Sequence, residues 1–305
     1  MPLSRRDLLV LLPAFAFAKR LQEPQLQFPP TALDRLAVTS WPFRAYMESP
    51  TNHGRKAHVP GMDLKAFPAF VSRKFGVHAI NPLADHFRST DDAYLAGLRE
   101  AVEKAGSHIV DLGLGGGYFY DPDAATRRSA IDYGRKWIDI AVKIGSPSVR
   151  QHLRVKPDQK PDSGIAAEAL GSLAEYGAKR NIVVNLENDN AIAEDPFLLV
   201  TIIEKVNSPY LRALPDFGNS LIGHDESYNQ RAVKAMLAHA WNMCHVKDVV
   251  EGEHGEMKTV DLKKMFGLAK QSAYAGYYSM EFDTDAGDPI AGTQKLVRES
   301  LGYLG

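Results

Sequence analysis

After residue 30 the chain alternates between two hydrophobic rhythms. Short apolar runs read as strands buried on both faces. They are Leu36 to Trp41, Val77 to Leu83, His108 to Leu114, Pro147 to Leu153, Ile182 to Leu186, Leu211 to Leu214, Trp241 to Val246 and Tyr277 to Phe282. Between them lie longer stretches with apolar residues every three or four positions, the rhythm of an amphipathic helix. These helices are predicted from Asp63 to about Phe75, Asp91 or Asp92 to Lys104, Asp123 to Ile144, Ile165 to Lys179, Asp195 to Val206, Asn229 to His239, Val260 to Ser272 and Asp288 to Tyr303. Several open on an aspartate, whose carboxylate can accept from the free N–H groups of a first turn. Pro68 falls inside the first and predicts a kink.

Eight strands alternating with eight helices predict an α/β fold, a single-domain (β/α)₈ barrel over residues 31–305. An open doubly wound sheet is the rival. It usually carries a glycine-rich dinucleotide turn after its first strand, and none follows Trp41. The triplet Gly115-Gly116-Gly117 lacks that spacing and reads as a βα loop, close-packed or mobile. The segment from Pro42 to Gly61 is long for a βα loop and reads as a lid over a site.

Each of four later strand runs ends on a residue able to bind a metal. They are Val184-Asn185-Leu186-Glu187, Leu214-Pro215-Asp216, Met243-Cys244-His245 and Ser279-Met280-Glu281. Glu187, Asp216 and His245 are spaced 29 residues apart, and Glu281 follows 36 later. One strand, one helix and two loops take about 30 residues. The four are thus expected at one end of one sheet, the C-terminal end where barrel active sites lie. Three carboxylates and an imidazole suit one divalent ion, Mn²⁺, Mg²⁺, Co²⁺ or Zn²⁺.

Composition narrows the partners. Of 305 residues 45% are hydrophobic, enough for a large core, and the net charge is −1 with no long basic run. A nucleic-acid surface needs a concentration of Lys and Arg, so nucleic acid is disfavoured. Cys244 is the single cysteine, which excludes an intrachain disulfide.

The first 30 residues read as a Tat-type signal peptide and a linker. Arg5-Arg6 precede the apolar run Leu8 to Ala18, which ends in the small-x-small pattern Ala16-Phe17-Ala18. That run is too short to span a bilayer, so no stable membrane anchor is expected. Gln22 to Pro30 is rich in Gln and Pro. Export to the periplasm is the expectation, and a homo-oligomer is compatible with the sequence.

The four stretches Asn-Leu-Glu187-Asn, Asp216-Phe-Gly-Asn, His245-Val-Lys-Asp and Glu281 near the last strand resemble the xylose isomerase-like TIM barrels, over roughly residues 34–303. The family includes sugar phosphate isomerases and epimerases, inosose dehydratases and AP endonucleases. The resemblance implies one divalent metal on Glu187, Asp216, His245 and Glu281. It also implies that Glu187 and Glu281 face each other across the substrate and exchange its proton. Two departures limit the carry-over. Asn219 stands where the trinuclear AP endonucleases have a further histidine, and Glu251 where ketose epimerases often have an arginine.

The expected reaction is isomerisation or epimerisation of a sugar by proton abstraction next to a carbonyl, through an enediolate, with Glu187 and Glu281 as the acid–base pair. The alternative is a lyase: the same abstraction with a leaving group one carbon further on eliminates it, as with inososes or 3-keto-glycosides. Asn185, Asn219, Arg150, His152 and Lys247, at strand ends, are candidates for binding sugar oxygens. Trp41, with Phe43, is a candidate for stacking on a sugar face, and His86 is a weaker one for binding.

Overall fold

The computed structural model describes residues 22–283 and 286–305. The twin-arginine segment lies outside them. The strands are β1 (Leu36–Thr39), β2 (Ala79–Asn81), β3 (His108–Ile109), β4 (Leu112–Gly117), β5 (Ser148–Leu153), β6 (Val183–Glu187), β7 (Leu211–Leu214), β8 (Met243–Val246), β9 (Val249–Glu251), β10 (Met257–Thr259) and β11 (Tyr277–Met280). The helices are α1 (Phe67–Phe75), α2 (Asp92–Lys104), α3 (Ala124–Ile144), α4 (Ser163–Ala178), α5 (Pro196–Val206), α6 (Glu226–Leu237), α7 (Leu262–Gln271) and α8 (Pro289–Leu304).

All pairings around the ring are parallel. One arc runs β3-β2-β1-β11-β8 and the other β4-β5-β6-β7. Bridges Leu83 to Gly113 and Asp216 to His245 join the two arcs, so the sheet closes on itself. Closure removes every free edge, and the helices cover the outside.

Aspartates start seven of the helices, Asp91, Asp123, Asp195 and Asp288 as the sequence predicts and Asp162, Asp225 and Asp261 where the pattern places the start at Ile165, Asn229 and Val260. Each accepts from an N–H of the turn that follows. Such a cap contributes about 1 kcal/mol. Gly76 and Gly145 end α1 and α3 at φ of 67° and 79°, a conformation that costs other residues more.

Two expectations need correcting. Pro68 lies in the first turn of α1, where its missing N–H has no partner to lose, so it starts the helix instead of kinking it. The glycine triplet is part of β4: Gly116 and Gly117 pair with His152 and Leu153 after a register shift. A side chain on Gly117 would run into Phe119 and Ala130. The long segment after β1 is anchored. Met47 is buried and bridges Met62, and Asn52 donates to the carbonyls of Arg44 and Met47 at 2.7 Å.

Residues 22–30, read as a linker, lie against the lower end of the barrel. Leu26 and Phe28 pack on Ala37, Ala79, Val110, Leu214, Met243 and Tyr277. Gln25 and Asn181 exchange hydrogen bonds, and Phe28 meets Trp241 and Tyr277 edge-on. The sequence pattern also missed the antiparallel hairpin β9–β10, which stands on the upper rim. Val250 in β9 and Val260 just after β10 approach Gly218 so closely that a Cβ there would collide with both.

Candidate metal centre

Glu187 ends β6, Asp216 follows β7, His245 lies in β8 and Glu281 follows β11. The barrel register brings them level: Asp216 bridges His245, and His245 pairs with Ser279, two residues before Glu281. Each can offer one ligand atom, and these atoms lie within 4.8 Å of one another. All four residues are buried.

The carboxylates are aimed by their own neighbours. Asn188 accepts from the Asp216 N–H at 2.8 Å and donates to its carbonyl at 3.2 Å, clamping that backbone. Asp216 Oδ1 accepts from the N–H groups of Gly218 and Asn219 at 2.8 and 2.7 Å. Oδ2 is left buried with no hydrogen-bond partner, and the nearby cation is Lys247 Nζ at 3.5 Å. A buried carboxylate oxygen without a donor is costly, and a cation relieves it.

His245 is prepared in the same way. Asn81 Nδ2 donates to the Asp111 carbonyl and carboxylate, which turns Asn81 Oδ1 toward His245 Nε2 at 3.0 Å. An amide oxygen only accepts, so Nε2 carries a proton and Nδ1 is the nitrogen free to act as a ligand. Nδ1 faces Glu187 Oε1 and lies 3.4 Å from Glu281 Oε2. The donor set, its geometry and the orphaned oxygen all fit a divalent ion.

Two fixed cations flank the cluster. Arg150 donates to Glu187 Oε2, and it can lie where it does because residue 113 is glycine; a Cβ there would run into its guanidinium. Lys247 Nζ lies 3.1 Å from Glu281 Oε2 and donates to Asn219 Oδ1 at 2.6 Å. Burial works to raise the Glu187 carboxyl, but Arg150 and His245 outweigh it and hold the group well below the ordinary range. Burial pushes Asp216 up to about 6 against the opposing charge of Lys247. Burial works to lower His245, and Glu187 and Glu281 raise it above its ordinary value instead.

A cavity of about 430 Å³ opens above the cluster. Glu281, Arg150, His152, Asn219, Lys247 and Trp41 form part of its wall. Trp41 is 42% exposed, and the Arg44 guanidinium sits 4.2 Å from its ring centroid. His152 Nδ1 lies 2.9 Å from Glu194 Oε1, which also accepts from the Leu153 N–H at 2.7 Å.

Three sequence candidates lie elsewhere. Asn185 sits one layer below Glu187, inside the barrel, and donates to Asp111 and Asn242. Phe43 is fully buried among Phe67, Phe70 and Phe75. His86 is buried on Ser40 Oγ at 2.8 Å, and burial with Arg44 nearby lowers its pKa to about 3. Sequence reasoning missed Asn81, Asp111, Asn188 and Glu194. Asn188 alone carries a sequence signal, as the polar residue directly after Glu187.

A family model described as "Xylose isomerase-like TIM barrel" matches residues 71–304. A comparison with curated proteins returns no match. Among solved structures, a D-psicose 3-epimerase crystallised in the presence of D-fructose is 14% identical, with a TM-score of 0.66 over 88% of this chain and 97% of that one. A xylose isomerase-like TIM barrel protein from Mycobacterium smegmatis in complex with magnesium is 16% identical, with a TM-score of 0.63 over 90% and 99%. A 3-keto-D-glucoside 4-epimerase from E. coli is 15% identical, with a TM-score of 0.61 over 88% and 98%. At these identities the likeness is one of fold.

Proposed function

This chain belongs to the xylose isomerase-like TIM barrel family, and on that premise we propose that it is a divalent-metal-dependent sugar isomerase or epimerase. The observation that carries the reading is the convergence of Glu187, Asp216, His245 and Glu281, with Asp216 Oδ2 unsatisfied and His245 Nδ1 presented by Asn81. An ion bound there supplies positive charge opposite a substrate oxygen, which makes a proton on the neighbouring carbon acidic.

The chain's own residues do the rest. Glu281, in the cavity wall, takes the proton from the carbon next to the carbonyl. Glu187, from the far side of the cluster, is its counterpart: it takes up a proton from water and gives it to the opposite face. Arg150, Lys247, Asn219 and His152 donate to or accept from sugar oxygens. Trp41 offers a ring face at the mouth. The distant likeness to a D-psicose 3-epimerase and to a 3-keto-D-glucoside 4-epimerase supports a keto-sugar as substrate.

One observation favours the lyase reading. His152 with Glu194 makes a second proton-carrying pair beside Glu187 and Glu281. Epimerisation between two glutamates has no use for it as an acid, whereas elimination needs a group to protonate the departing oxygen. The test is NMR in D₂O with metal-loaded protein and D-fructose, D-allulose or a 3-keto-glucoside. Deuterium at the carbon next to the carbonyl with an isomeric product supports the first reading. An unsaturated product with a released alcohol supports the second, and full activity after chelation overturns both.

We also propose export through the twin-arginine route. The support is Arg5-Arg6 ahead of Leu8 to Ala18. Cell fractionation tests it: Arg5→Lys with Arg6→Lys is expected to leave the protein in the cytoplasm, and unchanged export overturns it.

A further inference from the structure

A second cavity, of about 280 Å³, adjoins the first on the side of β6 and β7. Asp189, Asn190, Glu194, Asn219 and Ile222 line both. The two differ in character. Charges of both signs surround the first, Arg150 and Lys247 beside Glu281, whereas the charged groups of the second are the carboxylates Asp189, Glu194, Asp195 and Glu253, with no Lys or Arg among them. The second adds Ala191, Pro196 and Gly223 and the rings of His224 and Tyr228, which stack with centroids 3.8 Å apart.

Its walls are tied together. Tyr228 donates to Asp195 Oδ2 at 2.5 Å, which links α6 to the cap of α5. Asn190 Oδ1 accepts from the N–H groups of Ile192 and Ala193, and its Nδ2 donates to Glu194 at 2.7 Å. The β9–β10 hairpin closes the far side. Lys258 Nζ donates to the Leu221 carbonyl at 2.9 Å, and the Glu253 N–H donates to the Ile222 carbonyl at 3.3 Å. Two loops, the one after β6 and the one after β7, together with the added hairpin thus enclose this second space beside the first.

We propose that this second cavity is a subsite for the cyclic substituent of a glycoside. The proposal deepens the reading above and rests on it for the position of the reacting sugar. The polyhydroxylated ring lies among the charges of the first cavity. The substituent, a second sugar or an aryl group, presents a flat, less polar face to His224, Tyr228 and Ile222, as rings and mainly apolar walls favour. The substrate class is then a keto-sugar still joined to another ring, in preference to a free monosaccharide.

The test is ligand binding to the magnesium-loaded full chain, by calorimetry with saturation-transfer NMR. The probes are D-glucose, cellobiose and phenyl β-D-glucoside. At least one two-ring probe is expected to bind about tenfold or more tighter than D-glucose. Cellobiose against phenyl glucoside tells a sugar substituent from an aryl one. Ala191→Trp and Gly223→Trp, exposed positions that line only the second cavity, are expected to cancel that gain and leave magnesium content and D-glucose binding unchanged. Equal affinity for all three probes, no binding of any, or a gain that survives both substitutions overturns the proposal. Repeating the titration without metal separates the two readings. A two-ring gain that persists there, and that Ala191→Trp cancels, supports the subsite whatever becomes of the cation.

Discussion

At its lower end the barrel is closed by carbon: Leu26 and Phe28 of the chain's own leading segment cover Ala37, Val110, Met243 and Tyr277. At its upper end three carboxylates, an imidazole, a guanidinium and an ammonium share one buried space under an open cavity. Between the two lies a polar layer, Asp111, Ser148, Asn185 and Asn242, whose N–H and O–H groups all find acceptors within the layer or its strands. In that layer Asp111 receives hydrogen bonds on both oxygens. The upper layer leaves a carboxylate oxygen of Asp216 with none. Asn185 Oδ1 in the middle layer also lacks a partner, but it is a neutral amide oxygen; the upper orphan is a carboxylate oxygen within a set of donors that could hold an ion.

That contrast can be broken by substitution. The largest expected effect is at the top. Glu281→Gln removes a proton acceptor that faces the cavity, and turnover is expected to fall by about 10²–10⁴-fold, with the melting temperature unchanged or raised. A matching loss of stability would show instead that Glu281 is structural. Asn81→Leu removes the acceptor that fixes His245; metal affinity by calorimetry is expected to fall about 10–100-fold. An unchanged affinity would cut the link between the middle layer and the top.

Acid sharpens the same contrast. Asp216 binds protons more tightly in the folded, metal-free protein than in the unfolded chain, because burial raises it to about 6. Its contribution to metal-free stability is therefore full at low pH and is lost as pH rises toward about 6. A metal requires both the Asp216 carboxylate and an unprotonated His245 Nδ1, so affinity is expected to fall by up to about a hundredfold per pH unit below about 6, with proton release on binding. A flat profile from pH 4 to 7 would contradict this. The smallest effect is at the bottom. Phe28→Ala, at a half-buried position, is expected to cost about 1–2 kcal/mol of stability in denaturant melts and to leave metal affinity alone.

Much of this is legible in the sequence. Asp123 and Ile144 bound α3 as the pattern predicts, since a carboxylate cap and a following glycine are local signals. The four candidate ligands were visible because each ends an apolar strand at a spacing that a βα repeat imposes. What failed was depth. Asn185 and Glu187 are two residues apart and point the same way, and only the closed barrel shows that one is a layer lower. Asn81 and Asp111 sit within apolar runs, where their chemistry depends on partners 30 and more residues away. The hairpin β9–β10 is three residues on each side, too short to show a period. Pro68 was misread because a turn before α1 moved the helix start onto it.

The central claim is that four strands converge on one cation. Diffraction from manganese-soaked crystals at the metal absorption edge tests it most directly. The account predicts a single strong anomalous peak about 2.0–2.4 Å from Glu187, Asp216, His245 Nδ1 and Glu281, with Arg150 drawn away from Glu187. A peak among His152, Asp189 and Glu194 instead, or none with Arg150 still seated on Glu187, would contradict it.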